Sequence, residues 1–163
     1  MKLSGGVEWA VHCCVVLSVA KDDPVAVTRL AELHEVSATY LAKQMQALSR
    51  AGIVRSIQGH SGGYTLTRAP EKITVLDIVE AVDGAGPTFA CTEIRQRGPL
   101  AAPPEACDRL CAVNRTMLAA DRAWRAALRE VSVAELARDV GRDYDGDVLG
   151  AVGGWLKGAT RAD

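Results

Sequence analysis

Three features of this 163-residue sequence predict a mainly α fold with a small β-hairpin wing. Two amphipathic segments, VTRLAELHEV and ATYLAKQMQALSRAG, follow each other across a tight polar turn, the pattern of a helix-turn-helix. Two short alternating runs, IVRSIQ and YTLTR, then flank a glycine-rich tip, GHSGG. The longest helical pattern comes later and carries one apolar seam at three- and four-residue spacing. Together these describe a winged helix-turn-helix plus a long dimerisation helix.

Each element follows from local signals. Ser4 stands where it can cap a first helix over 5–20, a run that is apolar almost throughout. KDDP is a turn. In the next segment Leu30 and Leu33 point inward. Ser37 caps the following helix, where Leu41, Met45 and Leu48 fall at helical spacing and Gly52 is a stop. After the hairpin, ITVLDIVEAVDG reads as a helix with Thr74 and Asp77 placed as a capping box. From 84 to 107 regularity breaks, and Pro87, Pro99, Pro103 and Pro104 all fall in this long loop. The long helix runs over 108–130, with Leu110, Val113, Met117, Ala120, Trp124, Ala127 and Val131 on its seam. Ser132 and Glu135 form a second capping box for VAELARDV, and the Gly- and Asp-rich tail reads as looser.

Composition bounds the function. Hydrophobic residues make up 48% of the chain, enough for a real core, and aromatics only 4%, so Leu, Val and Ala must fill it. The formal net charge of -1 gives no global basic field, but charge is unevenly placed. No Asp or Glu occurs from Val36 to Pro70, where Lys43, Arg50, Arg55 and Arg68 lie. Such a face suits DNA phosphates. On the second helix of the pair, Thr39, Tyr40, Lys43, Gln44 and Gln46 form a polar side that can reach base edges and phosphates. Gln58, His60 and Ser61 on the wing suit a minor groove. No secretory signal or membrane span is visible, so the expectation is a soluble cytoplasmic protein.

Five cysteines in such a chain favour metal binding, redox chemistry or buried thiols over disulfides. Cys13 and Cys14, in the apolar first helix, read as small buried hydrophobes. Cys107 and Cys111 form C-x3-C at the mouth of the long helix, where its dipole favours thiolates, and Cys91 sits earlier in the loop. Glu8 and His12, four apart in the first helix, share one face. They are either an internal hydrogen-bonded pair or a pair of metal ligands. A closed zinc site of His12, Cys91, Cys107 and Cys111 is another arrangement these residues allow. A Cys–His catalytic pair is disfavoured, since there is no nucleophile elbow or phosphate loop, and the expectation is that the protein is not an enzyme.

The order SATYLAKQMQALSRAGIVRSIQGHSGGYTLTR followed by ITVLDIVEAVDG resembles the bacterial iron–sulfur winged-helix repressors, the IscR, NsrR and RsrR relatives. The start MKLSGGVEWAVHC is especially similar to RsrR-type redox regulators. The resemblance covers roughly residues 1–131. It implies a homodimer paired through the long helix, with cysteine ligands from the preceding loop and further ligands from the partner's first helix. Carried over, it implies a 2Fe–2S cluster held by Cys107 and Cys111 of one chain and Glu8 and His12 of the other, with Cys91 an additional candidate. The implied organisation is a DNA-binding domain over 1–83, a cluster-binding loop over 84–107, the dimerisation helix and a short helix over 108–145, and a C-terminal tail over 146–163. The wing departs from the family at Gln58 and His60, and the cysteine loop is longer than in IscR-like members. Histidine in place of thiolate raises a cluster's reduction potential, which favours a cluster that changes oxidation state without loss. Trp9, about 60° round the helix from His12, is placed to relay that change. The implied function is a redox-sensing transcriptional regulator, or repressor, acting on a double-stranded operator; the alternative is a zinc-stabilised or cluster-free winged-helix regulator.

Overall fold

The computed structural model describes residues 3–144 and 147–158. Its contacts divide the chain into two compact units, one formed by residues 86–127 and the other by the residues before 86 together with those from 128 onward.

The larger unit is built round helix α1 (Gly5–Ala20). Val7, Ala10, Cys13, Cys14, Val16 and Leu17 are all buried, which covers most of its circumference. A helix apolar on nearly every side must be surrounded, and α1 contacts α3 (Ala38–Arg50), α4 (Val75–Asp83), α6 (Val133–Asp143), α7 (Val148–Gly158) and strand β2 (Gly63–Leu66). Helix α2 (Val27–Leu33) packs on α3 through the fully buried Leu30, Leu41, Met45 and Leu48. No helix among the described residues is long and apolar enough to cross a membrane.

The mainly helical chain with one hairpin is the winged helix-turn-helix that the sequence predicts. Strand β1 (Val54–Ile57) pairs antiparallel with β2, Val54 opposite Leu66 and Ile57 opposite Gly63. Val25 extends the wing: its amide donates to the Tyr64 carbonyl at 3.0 Å and its carbonyl accepts from the Tyr64 amide at 2.9 Å. This pairing demands Gly63, because a Cβ there would stand 2.4 Å from the Val25 carbonyl carbon.

Both capping boxes form. Thr74 Oγ1 accepts from the Asp77 amide at 3.1 Å and Asp77 Oδ2 accepts from the Thr74 amide at 2.9 Å. Ser132 and Glu135 repeat the exchange at the start of α6, with distances of 2.7 and 3.2 Å. The two box regions are also joined to each other, since the Val75 amide donates to Val131 O at 2.8 Å and the Val133 amide to Ile73 O at 2.9 Å.

Four sequence expectations are corrected. Ser4 occupies the N-cap of α1 but turns its hydroxyl to Asp83 Oδ1, at 2.5 Å, so it ties α1 to the end of α4 instead of capping. Helix α2 stops at Leu33, and the turn runs through His34 and Glu35, the latter at φ 52° without a glycine to announce it. The long helix α5 spans Ala112–Arg129, because the turn Pro104–Cys107 and the residues up to Cys111 precede it. The tail, expected to be loose, carries α7: Asp147 Oδ1 accepts from the Gly150 amide at 2.7 Å, and Leu149, Val152 and Leu156 pack on the core. The ends of that tail, 145–146 and 159–163, lie outside the described residues.

Gly63→Ala is expected to lower unfolding stability by about 1–3 kcal/mol, the range for forcing a methyl group into filled space. Urea denaturation checks this, and an unchanged midpoint contradicts the close wing–Val25 approach.

Candidate functional site

The helix-turn-helix and wing present one polar surface. Ser37 caps α3, its Oγ accepting from the Tyr40 amide at 3.5 Å. Thr39, Tyr40, Lys43 and Gln46 are exposed along α3, and Arg50 is exposed in its last turn, where a cation complements the helix dipole. On the wing Arg55, Gln58, His60 and Ser61 are exposed, and Arg55 Nε is steadied by Thr65 Oγ1 at 3.2 Å.

Two of the polar residues on this stretch face elsewhere. Gln44 was expected on the base-reading side, but it is only 6% exposed. A Cβ on Gly6 would meet its Oε1 at 2.6 Å, so Gln44 packs its carboxamide against the backbone of α1 and is withdrawn from the DNA face. Arg68 is also engaged: Nη2 bonds Asp77 Oδ2 at 3.1 Å and Nε donates to the Lys72 carbonyl at 3.0 Å, which ties the wing's exit to α4.

Glu8 and His12 lie exposed on the first turns of α1. The reading of a buried hydrogen-bonded pair is thereby overturned. Gly6, Val7, Ala10 and Cys13 take the inner side of these turns and leave Glu8 and His12 to solvent. Trp9 is half-buried against the core. Sequence reasoning missed His34, whose ring centroid lies 5.8 Å from those of both Trp9 and His12. Burial, and then the charge of His12, lower its pKa, and its Nε2 is buried with no hydrogen-bond partner among the described residues. A lone histidine ending a short helix has no spacing signal to reveal this. Cys13 and Cys14 are core residues, as expected, and burial pushes the Cys13 thiol up to about 12.

The unit of residues 86–127 organises the other cysteines. Cys107 ends a short 3-10 turn and Cys111 precedes α5, and both are half-buried. Cys111 Sγ accepts from the Asn114 amide at 3.3 Å while its carbonyl accepts from the Arg115 amide at 2.9 Å. The sulfur therefore takes the place of an N-cap oxygen, where the helix dipole favours negative charge. Arg95 binds the segment together: Nη1 donates to the Ala106 carbonyl and Nη2 to the Arg109 carbonyl, both at 3.1 Å. Glu93 grips the same guanidinium at 2.5 and 2.9 Å. The Glu93 bonds, and then the charges of Cys107, Glu93 and Cys111, raise the Arg95 pKa. A fixed cation thus sits in the field of both thiols. Cys91 is exposed on the same loop. Among the described residues, no group of three His, Cys, Asp or Glu side chains is placed to hold a metal ion.

Asp121 fastens the start of the loop to α5. Its Oδ1 accepts from the Thr88 hydroxyl at 2.7 Å, the Thr88 amide at 3.2 Å and Trp124 Nε1 at 3.2 Å, and its Oδ2 accepts from Arg125 Nε at 2.8 Å. Arg125 also reaches the Gly86 carbonyl at 2.5 Å. The Thr88 hydroxyl leads the bonds that hold the Asp121 pKa down, at about 2.

An exposed polar helix beside a wing with its own arginine and polar tip defines the class: a winged-helix DNA-binding regulator. The chain belongs to the Rrf2 family, whose model, described as "Iron-dependent Transcriptional regulator", matches residues 3–139. It is 30% identical to YwgB of Bacillus subtilis over 89% of this chain and 90% of that protein. It is 37% identical to the HTH-type transcriptional regulator IscR of Cereibacter sphaeroides, over 51% of this chain and 56% of that one. A match to an HTH-type protein of Aquifex aeolicus, at 38% identity, likewise spans just over half of that relative, 56%. Among solved structures, CymR of B. subtilis has the same fold, with a TM-score of 0.68 at 23% identity, covering 85% of this chain and 97% of that one. IscR of T. potens follows with a TM-score of 0.63 at 19% identity, covering 90% and 93%. These relatives are transcription regulators, not enzymes.

Two predictions arise from the loop. Because folding lowers the Asp121 pKa from 3.8 to about 2, its stabilising contribution is full above 3.8 and is lost as pH falls through about 2. Trp124 fluorescence between those pH values is expected to report release of residues 86–88, and Asp121→Asn to abolish that titration. Arg95→Ala is expected to speed limited proteolysis of residues 93–110, with Arg95→Lys rescuing little because an ammonium lacks the forked geometry.

Proposed function

We propose that this protein is an RsrR-like redox-sensing transcriptional regulator that acts as a homodimer. Its affinity for a double-stranded operator follows the oxidation state of a 2Fe–2S cluster shared between subunits. The observation that carries the proposal is the pair of half-buried thiols at the start of α5, one of them at the helix N-terminus and both in the field of Arg95.

The donor set suits the cluster. Thiolates are the soft ligands that iron–sulfur clusters take, and imidazole or carboxylate on the second iron is the Rieske-like variation. In this reading Cys107 and Cys111 ligate from one chain, and Glu8 and His12, exposed on α1, ligate from the other. Such sharing agrees with a chain whose described residues hold no complete ligand group of their own. The seam of α5 supports a dimer, since Val113 and Met117 are 63% and 40% exposed, and Leu110 just before the helix is 52% exposed, all large apolar side chains in need of a cover. When bound, the cluster supplies a one-electron change in charge. Arg95 balances negative charge at the thiolate side, and the Asn114 amide orients Cys111. Trp9, on the same helical turns as Glu8 and His12 and partly in the core, is the residue through which a shift of those turns reaches the winged helix. Cys91 remains an additional ligand candidate on the exposed loop. On the DNA side, Thr39, Tyr40 and Lys43 of α3, with Arg50, Arg55, Gln58, His60 and Ser61, make the contacts.

Anaerobic purification, visible absorption and native mass spectrometry of the full chain test the cluster. A coloured dimer with 2Fe–2S mass is expected. Cys107→Ala, Cys111→Ala, Glu8→Ala and His12→Ala should each lose it, while Arg95→Ala should weaken retention by about 10–100-fold, as outer-shell changes do. A colourless zinc dimer, or one that stays metal-free after reconstitution, sinks the redox reading. For DNA, Lys43→Ala should reduce the slope of log affinity against log salt by about 1. Gln44→Ala should lower stability and leave that slope unchanged.

A further inference from the structure

A cavity of about 370 Å³ lies under the tip of the wing. Its size falls within the range of small-molecule sites, about 300–1,000 Å³. Three parts of the larger unit enclose it: the Pro24–Val25 turn, the wing residues His60, Ser61 and Gly62, and α7 through Gly153 and Leu156. The Rrf2 family model matches residues 3–139, and the α7 wall follows that span.

The cavity has two chemical ends. Pro24, Val25, Ala26 and Leu156 supply an apolar wall, and Gly153 also lines it. Arg29, His60 and Lys157 line it with basic groups, against the single carboxylate of Asp23. Arg29 is held in place on several sides. Its guanidinium stacks 3.4 Å over the Trp155 ring, Nη2 donates to the Trp155 carbonyl at 3.1 Å, and Nη1 pairs with Glu32 at 2.6 Å. Its Nε is buried without a hydrogen-bond partner among the described residues. The guanidinium is therefore a fixed cation on the cavity wall, and a carboxylate is the group that complements it.

We propose that this cavity binds a small amphipathic carboxylate, its apolar body against Pro24, Val25 and Leu156 and its carboxylate on Arg29, and that occupancy changes DNA affinity through the wing. The coupling has a structural route. The ligand touches His60 and Ser61 at the wing tip, and it touches Val25, whose backbone pairs with Tyr64 on strand β2 of the wing. The site uses none of the cysteines, so it is an effector input separate from the cluster reading.

The test uses the full-length protein, with 4-phenylbutyrate as probe and 4-phenylbutanol as its uncharged counterpart. Calorimetry is expected to show one phenylbutyrate per chain, bound at least about tenfold more tightly than the alcohol, the factor that 1.4 kcal/mol represents. Arg29→Met should erase that preference and Arg29→Lys should keep part of it. Ala26→Leu, which fills the cavity without removing the Arg29 stack, should abolish binding of both and so decides the matter if Arg29→Met misfolds. Backbone amide signals of His60 and Gly62 should move on binding. Affinity for a duplex selected by the protein from a random pool should change at least about threefold, a modest coupling on the scale of allosteric effects. Binding should survive Cys107→Ala and Cys111→Ala, which separates this proposal from the fate of the cluster. Equal binding of acid and alcohol, unaltered binding in Ala26→Leu, or an unmoved wing with unchanged DNA affinity overturns it.

Discussion

The burial of α1 is the constraint on which the rest of the larger unit depends. With Ala10, Cys13, Cys14 and Leu17 fully buried, this helix cannot lie on a surface, and α3, α4, α6, α7 and β2 are each held to it. The recognition helix is thus fixed to a rigid post. Gly6 lets the Gln44 carboxamide of α3 come close to the backbone of α1, so the two helices meet with little between them. Any small tilt of the first turns of α1 is passed directly to α3, because packed interiors transmit displacement and do not absorb it. The same turns carry Glu8, Trp9 and His12, so the residues proposed to sense redox state and the helix proposed to read DNA share one mechanical element.

The cysteine loop solves a different problem. A segment with four prolines and little regular structure has few ladder hydrogen bonds, so its shape must come from side chains. Arg95 provides two carbonyl contacts at one end, and Asp121 with Arg125 provides the Thr88 and Gly86 contacts at the other. Both anchors are charged groups that reach backbone groups of the loop, which fixes its chain path. Cys107 and Cys111 inherit their positions from that path. The loop is therefore pre-organised by ion pairs and caps, and half-buried thiols held this way would lose little freedom on binding the proposed cluster.

Much of the fold was legible because its signals are local. The capping boxes at Thr74–Asp77 and Ser132–Glu135, the glycine-rich wing tip and the Leu41, Met45 and Leu48 spacing depend only on neighbours in sequence, and each forms as read. What escaped depends on long-range partners. The hydroxyl of Ser4 finds Asp83, the carboxamide of Gln44 finds Gly6, and Arg68 finds Asp77; in each case a residue with a sound local role is recruited by tertiary contact. Glu35 takes positive φ where a glycine would have announced the turn. Helix α7 escaped because its glycines look like breakers, whereas Leu149, Val152 and Leu156 bury against the core and outweigh that propensity. Of the candidate site, the C-x3-C and the Glu8–His12 pair were visible as spacing, but Arg95 and His34 were not, since neither belongs to a motif.

The arrangement of donors explains why a shared cluster is a better reading than a closed site within one chain. Glu8 and His12 are exposed on a helix whose other sides are committed to the core, and the thiols sit before a helix with uncovered Val113 and Met117, close to the uncovered Leu110. Both pairs lie at surfaces that are chemically unfinished, one lacking a counter-ligand and one lacking an apolar cover. In the proposed dimer, a second copy along the α5 seam would supply the cover, and the cluster would join the two ligand pairs across it. Assembly and cofactor binding then stabilise each other, because each ligand pair is useful only when the partner's is present. The two ligand pairs differ in chemistry, soft thiols before α5 and harder imidazole and carboxylate on α1. In the proposed dimer the harder pair would be carried by α1, the helix from which the DNA-reading surface is hung.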